Sequence, residues 1–276
     1  MTRHLGKAAA VAAGAVALLL IAAWVWVDRR FEEPDARHVA SLAAELGAER
    51  VLAVFAHPDD EQLVAGLLTR AGRDDGAWTG MITATRGEAG TQMPQIVAQP
   101  FLGVVRTGEV LKNGYALGLE AQEVWELPDG GLSGLPVNTL AGQILNAYHR
   151  YEPDLVVTFW PQSGATQHPD HMRIGLATQI AAYEFRGIHV YQGPKHLAYV
   201  LMPRDVMRRF GGERGAFVAD NQPAPTYSMP GETAAKLKGW DIHESQGEFV
   251  KRVYGVPANV LYTFFDKEFY FVEEVR

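Results

Sequence analysis

Two His-Pro-Asp turns hold the side chains of this sequence that could do chemistry. Residues 57–61 read His-Pro-Asp-Asp-Glu, and residues 168–171 read His-Pro-Asp-His. Imidazole and carboxylate groups bind divalent metals and act as general acids and bases. The chain has no cysteine, so any metal site must be built from His, Asp and Glu. The sequence therefore predicts a metal site or an acid–base site at these turns.

Each turn lies between an apolar run and a helical pattern. Residues 51–56 and 154–160 are apolar and β-branched enough to predict buried strands. Pro58 then breaks the first strand because it lacks a backbone donor. Turns that leave parallel strands for helices open at one edge of the sheet, where open α/β folds place their active sites. We therefore expect the two turns to lie side by side.

The spacing within each turn also favours convergence. His57 and Asp60 are three residues apart, as are His168 and His171, and this step can bring two side chains toward one point. The spacing alone leaves open whether Asp59 or Asp60, and whether His168 or His171, would bind a metal.

A purely structural explanation competes for the acidic residues. Asp and Glu in a first helical turn complement the helix dipole, and Asp is a good N-cap. Three consecutive acids, Asp59 to Glu61, exceed what capping requires, and capping does not explain His57. The combination favours a metal or acid–base site.

The turns resemble the motifs of the PIG-L/LmbE family of zinc-dependent N-deacetylases. The resemblance extends from about residue 50 to residue 246. It includes four further motifs, at residues 85–90, 106–109, 127–130 and 243–246. It implies a Rossmann-like fold, one zinc ion per chain and removal of an acetyl group from an N-acetylglucosamine unit.

The resemblance also resolves the roles that the spacing leaves open. It implies that His57, Asp60 and His171 bind the metal, that Asp59 is the general base, and that His168 stabilises the oxyanion or acts as an acid. A bound zinc lowers the pKa of water toward about 7, which makes a nucleophile available for the amide carbonyl.

Other residues are candidates with weaker support. The resemblance places Arg106 and Asp129 against sugar hydroxyls or a neighbouring group, and Glu88 lies at the same rim after the second strand. Asp170 could orient a neighbouring imidazole from outside the ligand set, or simply cap a helix. The motif that contains His243 gives that residue no assigned role.

Two other classes of function compete with a deacetylase. A metal phosphoesterase could use His and Asp ligands, although such sites usually hold two metals. A non-catalytic carbohydrate-binding protein would not need an acid beside a metal ligand.

The whole chain predicts an α/β fold with a mostly parallel sheet and helices on both faces, because strand and helix patterns alternate. No G-x-G-x-x-G follows a strand, so a nicotinamide cofactor is not expected. The formal charge of −7 over 276 residues argues against nucleic acid as a partner.

The N-terminal segment predicts a membrane anchor. Residues 8–27 carry no charge and have the length of one bilayer-spanning helix. Trp24 and Trp26 resemble an interfacial aromatic belt, and no cleavage site is evident, although a cleaved signal peptide is the alternative. We therefore predict an anchor and linker at 1–34, a catalytic domain at 35–276, and an extracytoplasmic location for that domain.

The predicted anchor guides the predicted substrate. A tethered enzyme gains from a membrane-confined substrate, because both are concentrated at one surface. This reasoning predicts a glycolipid or cell-envelope glycan that carries N-acetylglucosamine, with a small soluble conjugate as the alternative. Residues 87–104 and 211–231 are predicted to be long irregular loops, and residues 260–272 to form terminal strands.

Overall fold

The structure is a computed structural model that describes residues 2–185 and 191–275, with side chains from residue 13 onward. The strands within these residues are β1 (Arg37–His38), β2 (Arg50–Phe55), β3 (Trp78–Thr85), β4 (Ala121–Leu127), β5 (Leu155–Phe159), β6 (His196–Leu201), β7 (Tyr227–Pro230) and β8 (Lys267–Glu274). The first helices are α1 (Thr2–Asp28), α2 (Leu42–Leu46), α3 (Ala65–Arg73), α4 (Leu102–Leu117), α5 (Val137–Tyr151) and α6 (Pro169–Glu184). The remaining helices are α7 (Arg204–Phe210), α8 (Gly212–Asp220), α9 (Thr233–Ile242), α10 (Phe249–Tyr254) and α11 (Ala258–Phe264).

The described strands form one sheet in the order β1-β7-β8-β6-β5-β2-β3-β4. All neighbours are parallel except β8, which runs antiparallel to both β6 and β7. Helices cover both faces, so the predicted α/β sheet is confirmed.

The two strands that precede the His-Pro-Asp turns are neighbours at the centre of the sheet. β2 pairs with β5 on one side and with β3 on the other. β5 is buried throughout and β2 is buried after Arg50, and both are mostly apolar, as expected for central parallel strands covered on both faces. The rings of Phe55 and Phe159, at their carboxyl ends, lie 4.9 Å apart. The chain moves outward from this pair in opposite directions, which makes it the switch point of the sheet.

The region 211–231 is more regular than predicted. It contains α8 and β7, and β7 pairs with β1 and β8. Its glycines serve close packing: a side chain at Gly215 would lie 2.3 Å from the backbone oxygen of Met207 in α7. The prediction of an irregular insertion was wrong because glycine here permits helix contact.

The predicted terminal strands at 260–272 are partly wrong. Residues up to Phe264 belong to α11, which follows Pro257 at its N-cap. Only β8 is a strand, and its aromatic residues pack into the core that α11 helps to close.

The prediction of a transmembrane helix at residues 8–27 is wrong. No helix in the part of the chain that the structure describes is both long and apolar enough to cross a membrane, which takes about 20 apolar residues. The predicted single-pass anchor is therefore wrong, and the extracytoplasmic location that was inferred from that anchor loses its support. The rings of Trp24 and Trp26 contact Phe264 and Phe210, at centroid distances of 5.9 and 6.4 Å.

The segment after α1 is bound to the rest of the chain. Glu33 is buried and accepts hydrogen bonds from the backbone nitrogen and Nη2 of Arg204, at 2.6 and 2.7 Å. Phe31 stacks on Phe264 at 6.1 Å, and Glu32 pairs with Lys267. Residues predicted to form a linker thus contact α7, α11 and β8.

Candidate active site

Both His-Pro-Asp turns lie where the sequence predicts them, beyond the carboxyl ends of β2 and β5. After His57 the chain enters a 3-10 turn, Asp60–Val64, before α3 begins. The second turn starts α6, with His168 as the N-cap and Pro169 as the first helical residue.

Three predicted ligands converge on one point. His57 Nδ1 lies 3.1 Å from His171 Nε2, and His171 Nε2 lies 3.1 Å from Asp60 Oδ1. His57 Nδ1 lies 3.6 Å from Asp60 Oδ2. All three side chains are buried. The backbone nitrogens of Ala56 and His57 donate to Asp60 Oδ2, which fixes the carboxylate in this orientation.

The opposite ring nitrogens fix how the two imidazoles are protonated. His171 Nδ1 lies 2.9 Å from the backbone oxygen of Gly164, to which it can only donate. His57 Nε2 lies 3.1 Å from Asp129 and 3.3 Å from Asp170, to which it also donates. When the rings are neutral, the nitrogens that face each other therefore both carry lone pairs.

This donor set fits a divalent metal. Two imidazole lone pairs and a carboxylate oxygen meet with no hydrogen between them when the rings are neutral, so a cation is what would bring them together. Histidines that bind a metal usually donate their other N–H to a carboxylate or a backbone carbonyl, as both do here. His57, Asp60 and His171 could therefore hold a metal through two nitrogens and one oxygen.

Asp129 and Asp170 lie on the far side of His57. Asp170 has no exposed surface and accepts from the backbone nitrogens of Gly130 and Leu132, at 2.8 and 3.0 Å. Asp129 Oδ2 accepts from the backbone nitrogen of Ala89 at 2.9 Å. Because their oxygens already accept N–H groups, these two acids support His57 by hydrogen bonding. The structure thus brings Asp129 to His57, although the sequence placed it among the substrate contacts.

Asp59 lies beside the three ligands and is held by Arg106. Arg106 Nη2 donates to Asp59 Oδ2 at 3.0 Å and to the backbone oxygen of Pro58 at 2.5 Å, and its Nη1 donates to the backbone oxygen of Gly87 at 2.9 Å. Only 5% of Arg106 is exposed, so the structure places it under Asp59.

His168 completes the group at the surface of the site. Its ring centroid lies 4.7 Å from that of His57 and 4.9 Å from that of His171. Its Nδ1 accepts from the backbone nitrogen of Asp170 at 3.2 Å, so in the neutral ring Nε2 carries the hydrogen. His168 is half-buried and can present a donor to a ligand.

The charges of the site shift several pKa values in the metal-free protein. Burial lowers the pKa of His57, but its hydrogen bonds to Asp129 and Asp170 and the charge of Asp60 outweigh burial and raise that pKa to about 10. Burial raises the pKa of Asp60, yet the charges of His171 and His57 hold it well below its usual range. The three carboxylates around His57 therefore stabilise positive charge at this point of the site.

The two groups with proposed proton roles shift differently. Burial raises the pKa of Asp59, Arg106 lowers it, Asp60 raises it, and the result is about 6. Burial and the positive charges of His171 and His57 lower the pKa of His168. The Asp59 carboxyl group therefore changes charge just below neutral pH, and the lowered pKa of His168 favours its neutral ring at neutral pH.

Glu88 lies farther out than the other predicted residues. Its Oε1 accepts from the backbone nitrogen of Asp129 at 2.9 Å, and its side chain is exposed. It borders a cleft of about 540 Å³ that is also lined by Thr91, Gln92, Gln95 and Gln99. Polar amides and a hydroxyl thus extend outward from the site.

Sequence reasoning missed the polar cluster beneath the site. Glu61 is fully buried and contacts His243 and Asn113, which lie far away in the sequence. Burial lowers the pKa of His243, but the charge of Glu61 and the hydrogen bond to it raise the pKa overall. The available signal was that Glu61 and His243 both lie in the motifs that carry the family resemblance.

Comparison with known proteins agrees with this geometry. A family model described as PIG-L: GlcNAc-PI de-N-acetylase matches residues 52–182. The chain is 31% identical over 180 residues to 1D-myo-inositol 2-acetamido-2-deoxy-alpha-D-glucopyranoside deacetylase of Kineococcus radiotolerans, covering 55% of this chain and 50% of that protein. It is 30% identical over 248 residues to the protein of the same name from Corynebacterium urealyticum, covering 74% of this chain and 72% of that protein.

Solved structures show the same fold. The N,N'-diacetylchitobiose deacetylase of Pyrococcus horikoshii superposes with a TM-score of 0.65 at 17% identity, over 85% of this chain and 87% of that one. The chain spans half of the Kineococcus relative and almost three quarters of the Corynebacterium relative. On the sequence match, the fold and the two His-Pro-Asp turns together, this chain belongs to the PIG-L/LmbE family of deacetylases.

Proposed function

We propose that this chain is a zinc-dependent hydrolase that removes the acetyl group from the N-acetylglucosamine unit of a small conjugate. The observation that carries the proposal is that three possible ligand atoms converge. His171 Nε2 lies 3.1 Å from His57 Nδ1 and also 3.1 Å from Asp60 Oδ1. Two nitrogens and one oxygen from three side chains leave a fourth position open, as catalytic zinc sites require.

When bound, zinc would supply Lewis-acid chemistry, polarising a carbonyl and lowering the pKa of water toward about 7. The protein's own groups supply the rest. Asp59 takes a proton from the attacking water as its oxygen bonds to the amide carbon. His168 donates a hydrogen bond from Nε2 to the carbonyl oxygen as that oxygen gains negative charge. Asp59 returns the proton to nitrogen as the C–N bond breaks, which yields a free amine and acetic acid, and the acid loses its proton to solvent to become acetate.

Four further residues belong to the proposed site without binding the metal. Asp170 and Asp129 orient His57, and Arg106 orients Asp59, in keeping with the hydrogen bonds described above. Glu88 faces the cleft and is the residue among the four that we assign to substrate.

The proposed substrate is a small conjugate. The relatives are named for a glucosaminide of inositol, which is a small polyol glycoside. The expectation of a glycolipid or envelope glycan depended on the predicted membrane anchor, which the structure does not support. A cleft lined by Glu88, a threonine and three glutamines suits the hydroxyl groups of a neutral polyol.

The experiment measures acetate release and metal content together. We expect zinc-loaded protein to release acetate from an N-acetylglucosaminyl inositol faster than from free N-acetylglucosamine or from a lipid-linked form, and metal-stripped protein to be inactive. His57→Ala and His171→Ala should lose metal, and Asp60→Asn should weaken its binding. Asp59→Asn should keep the metal and lose activity roughly 10²–10⁴-fold, as expected for a positioned base.

Three results would contradict parts of the proposal. Normal metal content in both histidine variants would remove the proposed ligand set. Metal loss in Asp59→Asn with normal content in Asp60→Asn would show that the two roles are reversed. Activity confined to the lipid-linked form would reject the small conjugate while leaving the deacetylase chemistry in place.

A further inference from the structure

Asp59 is held in a backbone conformation that side-chain-bearing residues rarely adopt. Its φ is 94° and its ψ is −15°, in the left-handed region that favours glycine. Such a conformation persists only where the surrounding structure imposes it, and it is common at active sites. The contacts of Asp59 therefore show what imposes it.

A buried carboxyl group holds the backbone of Asp59 from below. Glu61 Oε2 accepts a hydrogen bond from the backbone nitrogen of Asp59 at 2.9 Å. Glu61 Oε1 accepts from Asn113 Nδ2 at 2.7 Å and from His243 Nε2 at 2.5 Å. Glu61 and His243 have no exposed surface, and 1% of Asn113 is exposed. Both carboxylate oxygens of Glu61 thus accept hydrogen bonds from the surrounding protein.

The side chain of Asp59 is held independently by Arg106. Asn113 and Arg106 are seven residues apart on α4, which places both on the inner face of that helix. Glu61 fixes the backbone of Asp59 and Arg106 fixes its carboxylate. The direction of the Asp59 carboxylate is therefore set from two sides.

We propose that Glu61, oriented by His243 and Asn113, is a positioning residue that aims Asp59 at the substrate. This inference rests on the proposed role of Asp59 as the base. Glu61 acts through the backbone of Asp59 and does not contact the substrate. Without its acceptor, the Asp59 amide loses its partner and the turn relaxes toward an ordinary conformation, which moves the carboxylate.

A purely structural role for Glu61 predicts different behaviour, and the chain offers a matched control. Glu109 is also a buried acid that contacts the segment around His243: its carboxyl oxygens accept from the backbone nitrogen and Oγ of Ser245, at 2.7 and 2.6 Å. It has no bond to Asp59. Glu61→Gln and Glu109→Gln therefore disturb the same region, and only the first disturbs the backbone of Asp59.

The test is a double-mutant cycle on the zinc-loaded protein of residues 1–276. Glu61→Gln replaces one acceptor oxygen by an N–H₂ group that faces the groups now donating to Glu61. We expect kcat to fall ~10- to 10²-fold, the size of loss that follows when a catalytic group is misplaced. KM should change less than about twofold, and the metal content should stay at one per chain. In the Asp59→Asn background, Glu61→Gln should cost almost nothing further, because its effect passes through Asp59. Glu109→Gln should keep kcat within about twofold.

A second pair of variants covers the case in which Glu61→Gln does not fold. His243→Gln keeps a donor toward Glu61 and should retain most activity, whereas His243→Leu should lower kcat as Glu61→Gln does. An equal loss from Glu61→Gln in both backgrounds would overturn the proposal while leaving Asp59 as the base, and so would a loss of metal from Glu61→Gln. Full activity of Asp59→Asn would instead reject the base role itself.

Discussion

At the scale of single residues, the site depends on histidines whose two ring nitrogens have different partners. His57 donates from Nε2 to Asp129 and Asp170, which turns Nδ1 toward Nε2 of His171. His168 accepts at Nδ1 from the Asp170 backbone, which leaves Nε2 as a donor. Chemically equal histidines thus acquire different roles from the hydrogen bond made by the other nitrogen.

The acid side of the pH–rate profile tests Asp59 at this scale. Asp59 must be ionised to take a proton, and its pKa is raised to about 6 without a metal. A bound cation lowers that pKa, so kcat/KM should fall as the pH drops through about 6 or somewhat below. The positive charge of Arg106 lowers the pKa of Asp59, so Arg106→Met should move this limb to higher pH.

A matched control separates that effect from a general loss of charge. Arg173→Met removes an arginine from α6 that donates to the backbone oxygen of Ser133 and does not contact Asp59. The acid limb of the pH–rate profile of Arg173→Met should lie at the same pH as that of the unsubstituted protein. An acid limb that Arg106→Met leaves unmoved would show that Asp59 does not control it.

At the scale of elements, α4 and the loop after β3 form one support for Asp59. Arg106 extends from α4 across the loop, where Gly87 and Gly90 leave room for its guanidinium group. A side chain at Gly87 would lie 2.3 Å from Arg106 Nη1, and one at Gly90 would lie 2.7 Å from it. The glycines of this loop therefore provide the space that the guanidinium group of Arg106 occupies.

Substitution of Gly87 tests this coupling between loop and helix. Gly87 has φ +65°, so Gly87→Ala adds backbone strain as well as the clash. We expect a loss of about 1–3 kcal/mol in the free energy of unfolding, as for other overpacked sites. We also expect kcat to fall at least ~10-fold, because a displaced Arg106 no longer holds Asp59. Thermal unfolding and acetate release measure the two effects.

Gly108 provides the control on the same helix. Nothing lies within 4 Å of a side chain built there. Gly108→Ala should raise the free energy of unfolding by roughly 0.5–1 kcal/mol, because alanine is the better helix former. If Gly87→Ala behaves like Gly108→Ala, then Arg106 does not depend on the loop.

At the scale of the whole molecule, residues from the last part of the chain hold the helix that follows the first His-Pro-Asp turn. β8 enters between β6 and β7, and its Glu268 accepts from the backbone nitrogens of Gly66 and Leu67 at the start of α3. Lys236 lies 3.0 Å from the same carboxylate, and both side chains are buried. The helix that follows the first turn is thus anchored by residues from the last quarter of the chain.

Truncation tests where the domain begins. We predict that a protein starting at residue 35 has a lower unfolding temperature than one starting at residue 29, because only the longer one keeps Phe31 and Glu33. Loss of the charged hydrogen bonds from Arg204 to Glu33 should cost on the order of 2 kcal/mol. That corresponds to about 4–8 °C in Tm for a domain of this size.

Activity separates this structural effect from a catalytic one. Both truncated proteins should have the same kcat/KM at a temperature where both are folded. Within the part of the chain that the structure describes, residues 29–34 do not contact the site residues. Equal Tm values would place the boundary at residue 35, as the sequence predicts.

The sequence by itself determined the local features of this protein. Apolar runs and prolines located β2, β5 and the turns that follow them, because strand burial and proline geometry act over a few residues. The order of the motifs identified the family and placed His57 and His171 among the candidate ligands. These features could be predicted because each is encoded by neighbouring residues.

Only the tertiary structure decided which distant groups support the site. It placed Asp129 on His57, Arg106 under Asp59, and His243 against Glu61, which is 182 residues away in the sequence. It also made β8 antiparallel and gave the glycine-rich region a helix and a strand. These outcomes depend on packing between elements far apart in the chain, and no local pattern of residue types specifies which buried donor meets which buried acceptor.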